Sequence, residues 1–371
     1  LIDYHVARVK GGCALNTVEN AAVLENSKAP NTLGIYDDKF ISGFKTLTDR
    51  IRKHGGKSCI QIWHAGRQTK SALTGQQIVA PSPIPCPLNR EMPKELTQAE
   101  IKEIVAAFGK AALRAKEAGF DSVEVHGAHG YLLSQFMSAS SNKRSDQYGG
   151  ALENRTRFTR EVIQCIKSEV GEDFPVILRI SSEEHVENGL TINDSMKIAQ
   201  MAEKAGVHAI HVSVGVYASM HYVIPPMDLP VGFNIKNASA IKKFVNIPVI
   251  GVGRINDPVI AAEVLDSEDV DFISIGRGQL ADPDFCNKAK SGAVEDIVKC
   301  IGCNQGCVDR RLFLGEPVSC LRNPSCGREK EYQLIEAVNP RKILVAGGGP
   351  GGLEAALTLK RRGHDVVLCE K

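Results

Sequence analysis

Two runs, Pro248-Val-Ile-Gly-Val-Gly-Arg254 and Phe272-Ile-Ser-Ile-Gly-Arg277, decide the fold. Each is a short Val/Ile-rich stretch ending on glycine and arginine, and a helical stretch separates them, the pattern of successive βα units in a parallel sheet. Five more strand-like runs precede them: Ala14–Glu19, Ser58–Trp63, Ser122–His126, Val176–Ser181 and Ala209–Val214. The spacing predicts helices over Thr97–Ala118, with Thr97 as N-cap, over Leu152–Val170, and a closing one over Asp282–Ser291. A closed βα barrel has eight strands and commonly holds a phosphate on the loops after its seventh and eighth. The two Gly-Arg ends are therefore the last pair, and the sequence predicts an α/β fold, a TIM (β/α)8 barrel lacking its first strand. The chain starts on Leu1 and stops directly after a strand-like run, so it reads as a piece of a longer protein.

With 371 residues, 43% of them hydrophobic, one barrel-sized domain and part of a second are expected. The net charge is +2, aromatics are 5%, and no Lys/Arg-rich block occurs, which argues against nucleic acid or an anionic membrane as partner. No charged stretch followed by an apolar one stands at the start of this sequence, and no apolar run approaches the roughly 20 residues of a membrane span. The expectation is a cytoplasmic enzyme of small molecules, with a homo-oligomer one arrangement open to it. The expected division is residues 1–292 as the barrel, 293–340 as a metal-cluster segment and linker, and 341–371 as the start of an FAD/NAD(P)-binding domain.

Of eleven cysteines, Cys300, Cys303, Cys307 and Cys320 stand together with the spacing C-x2-C-x3-C-x12-C, and the other seven are scattered, unlike a secreted disulfide framework. Three thiolates within eight residues and a fourth further on can wrap one [4Fe–4S] cube. Structural zinc is the alternative, although its four-cysteine sites more often use two separated C-x2-C knuckles; unliganded buried thiols are the other.

The run Lys342-Ile-Leu-Val-Ala-Gly-Gly-Gly-Pro-Gly-Gly352 joins an apolar strand to a G-x-G-x-x-G turn at Gly347, Gly349 and Gly352. A helix and a second strand ending in Glu370 follow. That order suits a dinucleotide, with its pyrophosphate at the helix N-terminus and a ribose hydroxyl on Glu370. A plain glycine-rich turn is the bland alternative.

At the end of the run Ser122–His126 stands His126-Gly-Ala-His-Gly-Tyr131. The C-terminal edge of a barrel strand is where catalytic groups sit. Histidines three apart can aim donors at one oxygen, and a nearby phenol can deliver a proton. Read alone, the hexapeptide also suits a metal site or a polar turn.

His126-Gly-Ala-His-Gly-Tyr-Leu-Leu-Ser-Gln-Phe136, with Asn142-Lys-Arg-Ser-Asp-Gln-Tyr-Gly-Gly150 and Asn154-Arg155, resembles the old yellow enzyme family of NAD(P)H:flavin oxidoreductases. Gln61-Ile-Trp-His-Ala-Gly-Arg67, Ile275-Gly-Arg277 and Ala281-Asp-Pro283 extend the likeness across the barrel. The Cys300 cluster and the Gly347 loop are similar to the multidomain iron–sulfur branch, which holds 2,4-dienoyl-CoA reductase, 2-enoate reductases, bile-acid-inducible oxidoreductases and trimethylamine dehydrogenase. The resemblance implies FMN in the barrel, with Gln61 at its pyrimidine edge, Arg179 near its reactive locus, Asn20 in a flavin-contacting position, and Gly253, Arg254, Gly276 and Arg277 at its phosphate. It implies that His126 and His129 grip a substrate oxygen while Tyr131 protonates carbon. Electrons would run from NAD(P)H to FAD, to the [4Fe–4S] cluster, to FMN, and reduce an activated C=C bond of an enoyl-CoA, enoate or enone, including steroids. Two departures stand out. The dienoyl-CoA reductase pattern has Glu at His129 and a His where this chain offers Tyr217, with His221 four residues on. The alternatives are an amine dehydrogenase of the trimethylamine dehydrogenase type, for which Trp63, Tyr217 and Tyr222 make a thin aromatic cage, and a non-catalytic electron-transfer flavoprotein module.

Overall fold

The computed structural model describes residues 1–29 and 31–371, which divide into two compact units, Leu1–Cys326 and Gly327–Lys371. The larger unit is built on one sheet of eight strands: β1 (Leu15–Ala22), β2 (Leu33–Gly34), β3 (Lys57–Trp63), β4 (Ser122–Gly127), β5 (Val176–Ser181), β6 (Ala209–Ser213), β7 (Val249–Gly251) and β8 (Phe272–Ile273). Their spatial order is β8-β7-β6-β5-β4-β3-β1-β2 and every neighbouring pair is parallel. All seven expected strands are present, most within a residue or two of their expected ends. The eighth, β2, was not expected: two residues pair Leu33 and Gly34 with Ala21 and Ala22 on the edge of β1 that faces away from β3.

Helices cover the sheet: α1 (Ile2–Lys10), α2 (Ile41–Lys53), α3 (Gln98–Glu117), α4 (Arg157–Val170), α5 (Ile192–Ala205), α6 (Ile235–Lys242), α7 (Pro258–Asp266) and α8 (Phe285–Ser291). Thr97 caps α3 as expected, in a reciprocal box in which Glu100 reaches back to the Thr97 N–H at 2.8 Å. The buried face of α3 runs Ile101, Ile104, Phe108, Ala111, Ala112, Ala115, the three-and-four spacing of one helix side. It meets Phe158, Val162, Ile163 and Ile166 of α4. The crossing is close because Gly109 has no side chain; a β-carbon there would lie 2.7 Å from Sγ of Cys165. The helix expected over Leu152–Val170 is broken at Thr156, whose hydroxyl donates to the carbonyls of Leu152 at 2.9 Å and Glu153 at 3.0 Å. Such back-bonding bends helices.

Helix α1 meets α8. Asn287 of α8 donates its side-chain amide to Lys10 O at 2.8 Å and its backbone N–H to Gly11 O at 3.0 Å, so the first helix is pinned to the last. Among the described residues no helix is long and apolar enough to cross a membrane.

In the smaller unit β9 (Lys342–Ala346) pairs in parallel with β10 (Asp365–Cys369), and α9 (Pro350–Arg361) joins them. Gly347 has φ +105°, a backbone open to glycine, and a β-carbon on Gly352 would collide with the Gly347 carbonyl. Pro350 opens α9 at its first turn, where no N–H is needed. Glu370 accepts the N–H of Gly348.

Candidate functional site

The hexapeptide leaves the C-terminal end of β4 in a tight turn. His129 and Gly130 both take left-handed φ, +61° and +78°, which folds the Tyr131 ring back against His126, centroids 4.8 Å apart. The turn is fastened from the next strands: the His129 N–H donates to Ser181 Oγ of β5 at 3.0 Å, and His129 Nε2 is 2.7 Å from Ser213 Oγ of β6. The Tyr131 hydroxyl lies 2.8 Å from that of Tyr217, and its ring stands edge-on to Trp63 at 4.6 Å. His221 is exposed against Tyr222 and does not reach this group; of the two residues weighed for that position, Tyr217 occupies it.

Electrostatics keep these groups neutral. Burial, aided by the Arg179 guanidinium, pushes His126 down to about 3. The same two causes hold His129 well below the usual imidazole range. The Ala128 N–H points at His126 Nδ1 at 3.3 Å, which leaves the proton on Nε2 as a donor. Burial and then Tyr217 hold the Tyr131 phenol well above its ordinary value.

Beneath lies a buried ionic cluster that sequence reasoning missed. Glu124, 2% exposed, accepts from Gln61 Nε2 at 2.6 Å and from His211 Nδ1 at 2.6 Å. Burial works against its ionisation, yet His211, Arg179 and Gln61 outweigh it and push the carboxyl down to about 2. His211 Nε2 has no hydrogen-bond partner among the described residues. The signal was present in the strand pattern: Glu124 and His126 are two apart and share a face, and a carboxylate inside an apolar run needs a partner. Glu124 sits opposite Gln61, and Arg179 opposite both His126 and His211, in the parallel register.

The Glu124 carboxyl falls from 4.5 in the unfolded chain to about 2, so its contribution is complete above pH 4.5 and lost as pH drops toward 2. The lowered His211 pulls in the same direction. Glu124→Gln is expected to cost about 3 kcal/mol at neutral pH by leaving the Arg179 charge uncompensated and His211 Nδ1 without its carboxylate partner, and to shrink the acid-induced loss. Urea unfolding followed through Trp63, the chain's one tryptophan, reads both; equal stability at every pH would show that the cluster contributes nothing.

Two cavities open around the site. The larger, about 290 Å³, is lined by Arg179, Gly253, Arg254, Gly276 and Arg277, and also by Cys300 and Cys307. The four expected anion-holding residues thus share one wall. Gln61 is buried beside Glu124, and Asn20 is half-buried on β1 and lines neither cavity. The second, about 180 Å³, lies beyond Tyr217 between Arg67, Gln68, Gly130, Glu184 and Val216. Cys300, Cys303, Cys307 and Cys320 all face one further void. The sulfurs of Cys300 and Cys320 accept N–H bonds from Gly302 and Arg322, each at 3.4 Å. Among the described residues no three His, Cys or acidic side chains converge closely enough to grip a single metal ion, and these four cysteines form no disulfide.

Residues 1–296 match the model of the NADH:flavin oxidoreductase / NADH oxidase family. The chain belongs to this family. Over its whole length it is 47% identical to an NADH oxidase of Thermoanaerobacter brockii and 39% identical to a cinnamate reductase of Clostridium sporogenes, covering 58% and 59% of those proteins. The solved structure of a 2-naphthoyl-CoA reductase in complex with 2-naphthoyl-CoA superposes with a TM-score of 0.95 at 32% identity, over 99% of this chain and 58% of that one. The chain therefore spans a little over half the length of these family members, and the family assignment carries a flavin-dependent oxidoreductase with an old yellow enzyme-like parallel α/β fold.

Proposed function

We propose that this chain is the catalytic part of an NAD(P)H-dependent reductase of activated C=C bonds, of the enoyl-CoA, enoate or enone type. The observation that carries the reading is the Tyr131 hydroxyl, kept protonated by burial and Tyr217, beside two neutral imidazoles.

The donor set suits the groups the reading needs. Two guanidiniums and two glycines on the loops after β7 and β8 fit a phosphate, and Arg179 on the same cavity, with Gln61 buried beside Glu124, suits the polar edge of an isoalloxazine. Four thiols around one void, two of them accepting N–H bonds, suit an iron–sulfur cluster better than zinc, whose roughly 2.3 Å bonds would need the sulfurs gathered on one point. The Gly347, Gly349, Gly352 turn with Glu370 suits FAD. When bound, FMN supplies hydride to carbon, and the cluster and FAD supply its electrons from NAD(P)H.

The chain's own residues do the rest. His126 Nε2–H is free to hold the activating oxygen, and an oxygen reaching His129 Nε2 competes with the Ser213 hydroxyl for it. Neutral donors draw electron density from the β-carbon while adding no charge to a buried site. Tyr131 holds the proton that the second carbon takes, and Tyr217 supports the phenolate left behind. The balance is NAD(P)H plus one proton plus alkene, giving NAD(P)⁺ and the saturated product. An amine substrate has no use for a proton donor placed opposite two oxygen-gripping imidazoles.

The full-length protein, under anaerobic conditions, is expected to oxidise NAD(P)H only when an alkene of these classes is added, with the saturated product recovered one for one. Flavin reduction by secondary or tertiary amines, with alkenes inert, would overturn the reading.

A further inference from the structure

The anion-holding wall of the larger cavity and the four-thiol void share one side chain. Arg277 lines both. Through Nη1 it donates to Pro225 O at 2.7 Å and to Asn304 Oδ1 at 2.5 Å; its other N–H groups make no protein hydrogen bond among the described residues. Asn304 lies between Cys303 and Cys307, and its own amide is tied to Ile224 O at 3.2 Å. Asn256, two residues past Arg254, donates to Cys300 O. A β-carbon on Gly302 would stand 3.3 Å from Nε of Arg254. The cysteine loop is thus seated directly on the loops after β7 and β8 that carry the Gly-Arg pairs. Burial lowers the proton affinity of Arg277, Cys300, Cys307 and Cys303 oppose that, and Arg254 adds repulsion. Arg254 and Arg277 line the same cavity, and Arg277 can meet negative charge from two sides, an anion in the cavity and a metal centre on the four sulfurs.

We propose that Arg277 couples the two sites, so that a phosphate-class anion in the cavity and the charge of a metal centre on the four cysteines compete for one guanidinium. The inference rests on the reading of the cysteines as a metal site. An electron added to that centre makes it one charge more negative, and an anion already on Arg277 leaves less positive field to stabilise it. Phosphate occupancy therefore makes the centre harder to reduce and a readier donor. By linkage, reduction weakens the anion's binding by the same factor. Without the anion the centre keeps its electron, which protects a flavin-free protein from passing it to adventitious acceptors.

The test is a dithionite titration of the flavin-free, full-length protein, followed by electron paramagnetic resonance with and without inorganic phosphate. Iron is measured first. In the parent protein, phosphate is expected to bind about tenfold more weakly to the reduced form, which for a one-electron couple is a midpoint about 59 mV more negative with phosphate present. Arg277→Lys keeps the charge and should keep the shift, whereas Arg277→Gln should lower the midpoint without phosphate and abolish its response. Absence of iron overturns the metal-site reading and the coupling together. Iron with a midpoint indifferent to phosphate in the parent, or an equal shift in Arg277→Gln, overturns the coupling alone.

Discussion

Tyr131→Phe is expected to slow oxidation of the reduced flavin by an alkene roughly 10²–10⁴-fold, the usual size of losing a general acid, with substrate affinity nearly intact. The hydroxyl lies 2.8 Å from Tyr217, and His126 and His129, which would carry binding, keep their own supports at Ala128, Ser181 and Ser213. Alkenes that give a stabilised anion should suffer least, because they can wait for a proton from water. His129→Ala should weaken binding and hydride transfer together, since ground state and developing enolate both use its hydrogen bond. Stopped-flow reoxidation at varied alkene concentration separates the two variants. A raised half-saturating concentration with an unchanged limiting rate in Tyr131→Phe would make Tyr131 a binding residue and pass the acid role to Tyr217.

Cys303→Ala is expected to remove essentially all iron from protein prepared without oxygen, against about four irons and four sulfides in the parent. Cys165→Ala is the matched control. That thiol packs on Gly109 at the crossing of α3 and α4, well apart in sequence from the cysteine loop, so its loss opens a small gap and leaves the metal content alone. Equal iron loss in both would mean the ligands are misassigned, and stoichiometric zinc in the parent would replace the cluster with a structural ion.

The strands were legible because each is a Val/Ile run bounded by turn residues, and buried parallel strands read as continuous apolar stretches. Strand β2 was not, since two residues carry no periodicity, and the break at Thr156 was hidden because a threonine inside a helical pattern shows its back-bond only in three dimensions. His126, His129 and Tyr131 could be found because one turn holds all three. Glu124 and His211 could not be paired from sequence: 87 residues separate them, and only the parallel register makes them neighbours. The side chain of Asn20, carried over by resemblance alone, makes no hydrogen bond among the described residues and reaches neither cavity, whereas Arg277 proved to face two.

The bond from Asn287 back to Lys10 sets a clock on the ribosome. Helix α1 buries His5, Val6, Arg8 and Val9, while the carbonyl at its end, Lys10 O, takes a bond from an amide encoded 277 residues later. At roughly 5–20 residues per second of synthesis, α1 waits on the order of 15–55 s for α8 to emerge. During that interval the sheet can zip strand by strand from β1 toward β8, because each strand follows its partner closely in the chain. The seam cannot close. The nascent unit therefore passes through a nearly finished form whose first helix still lacks this tie, the stage at which a holding chaperone has most to protect.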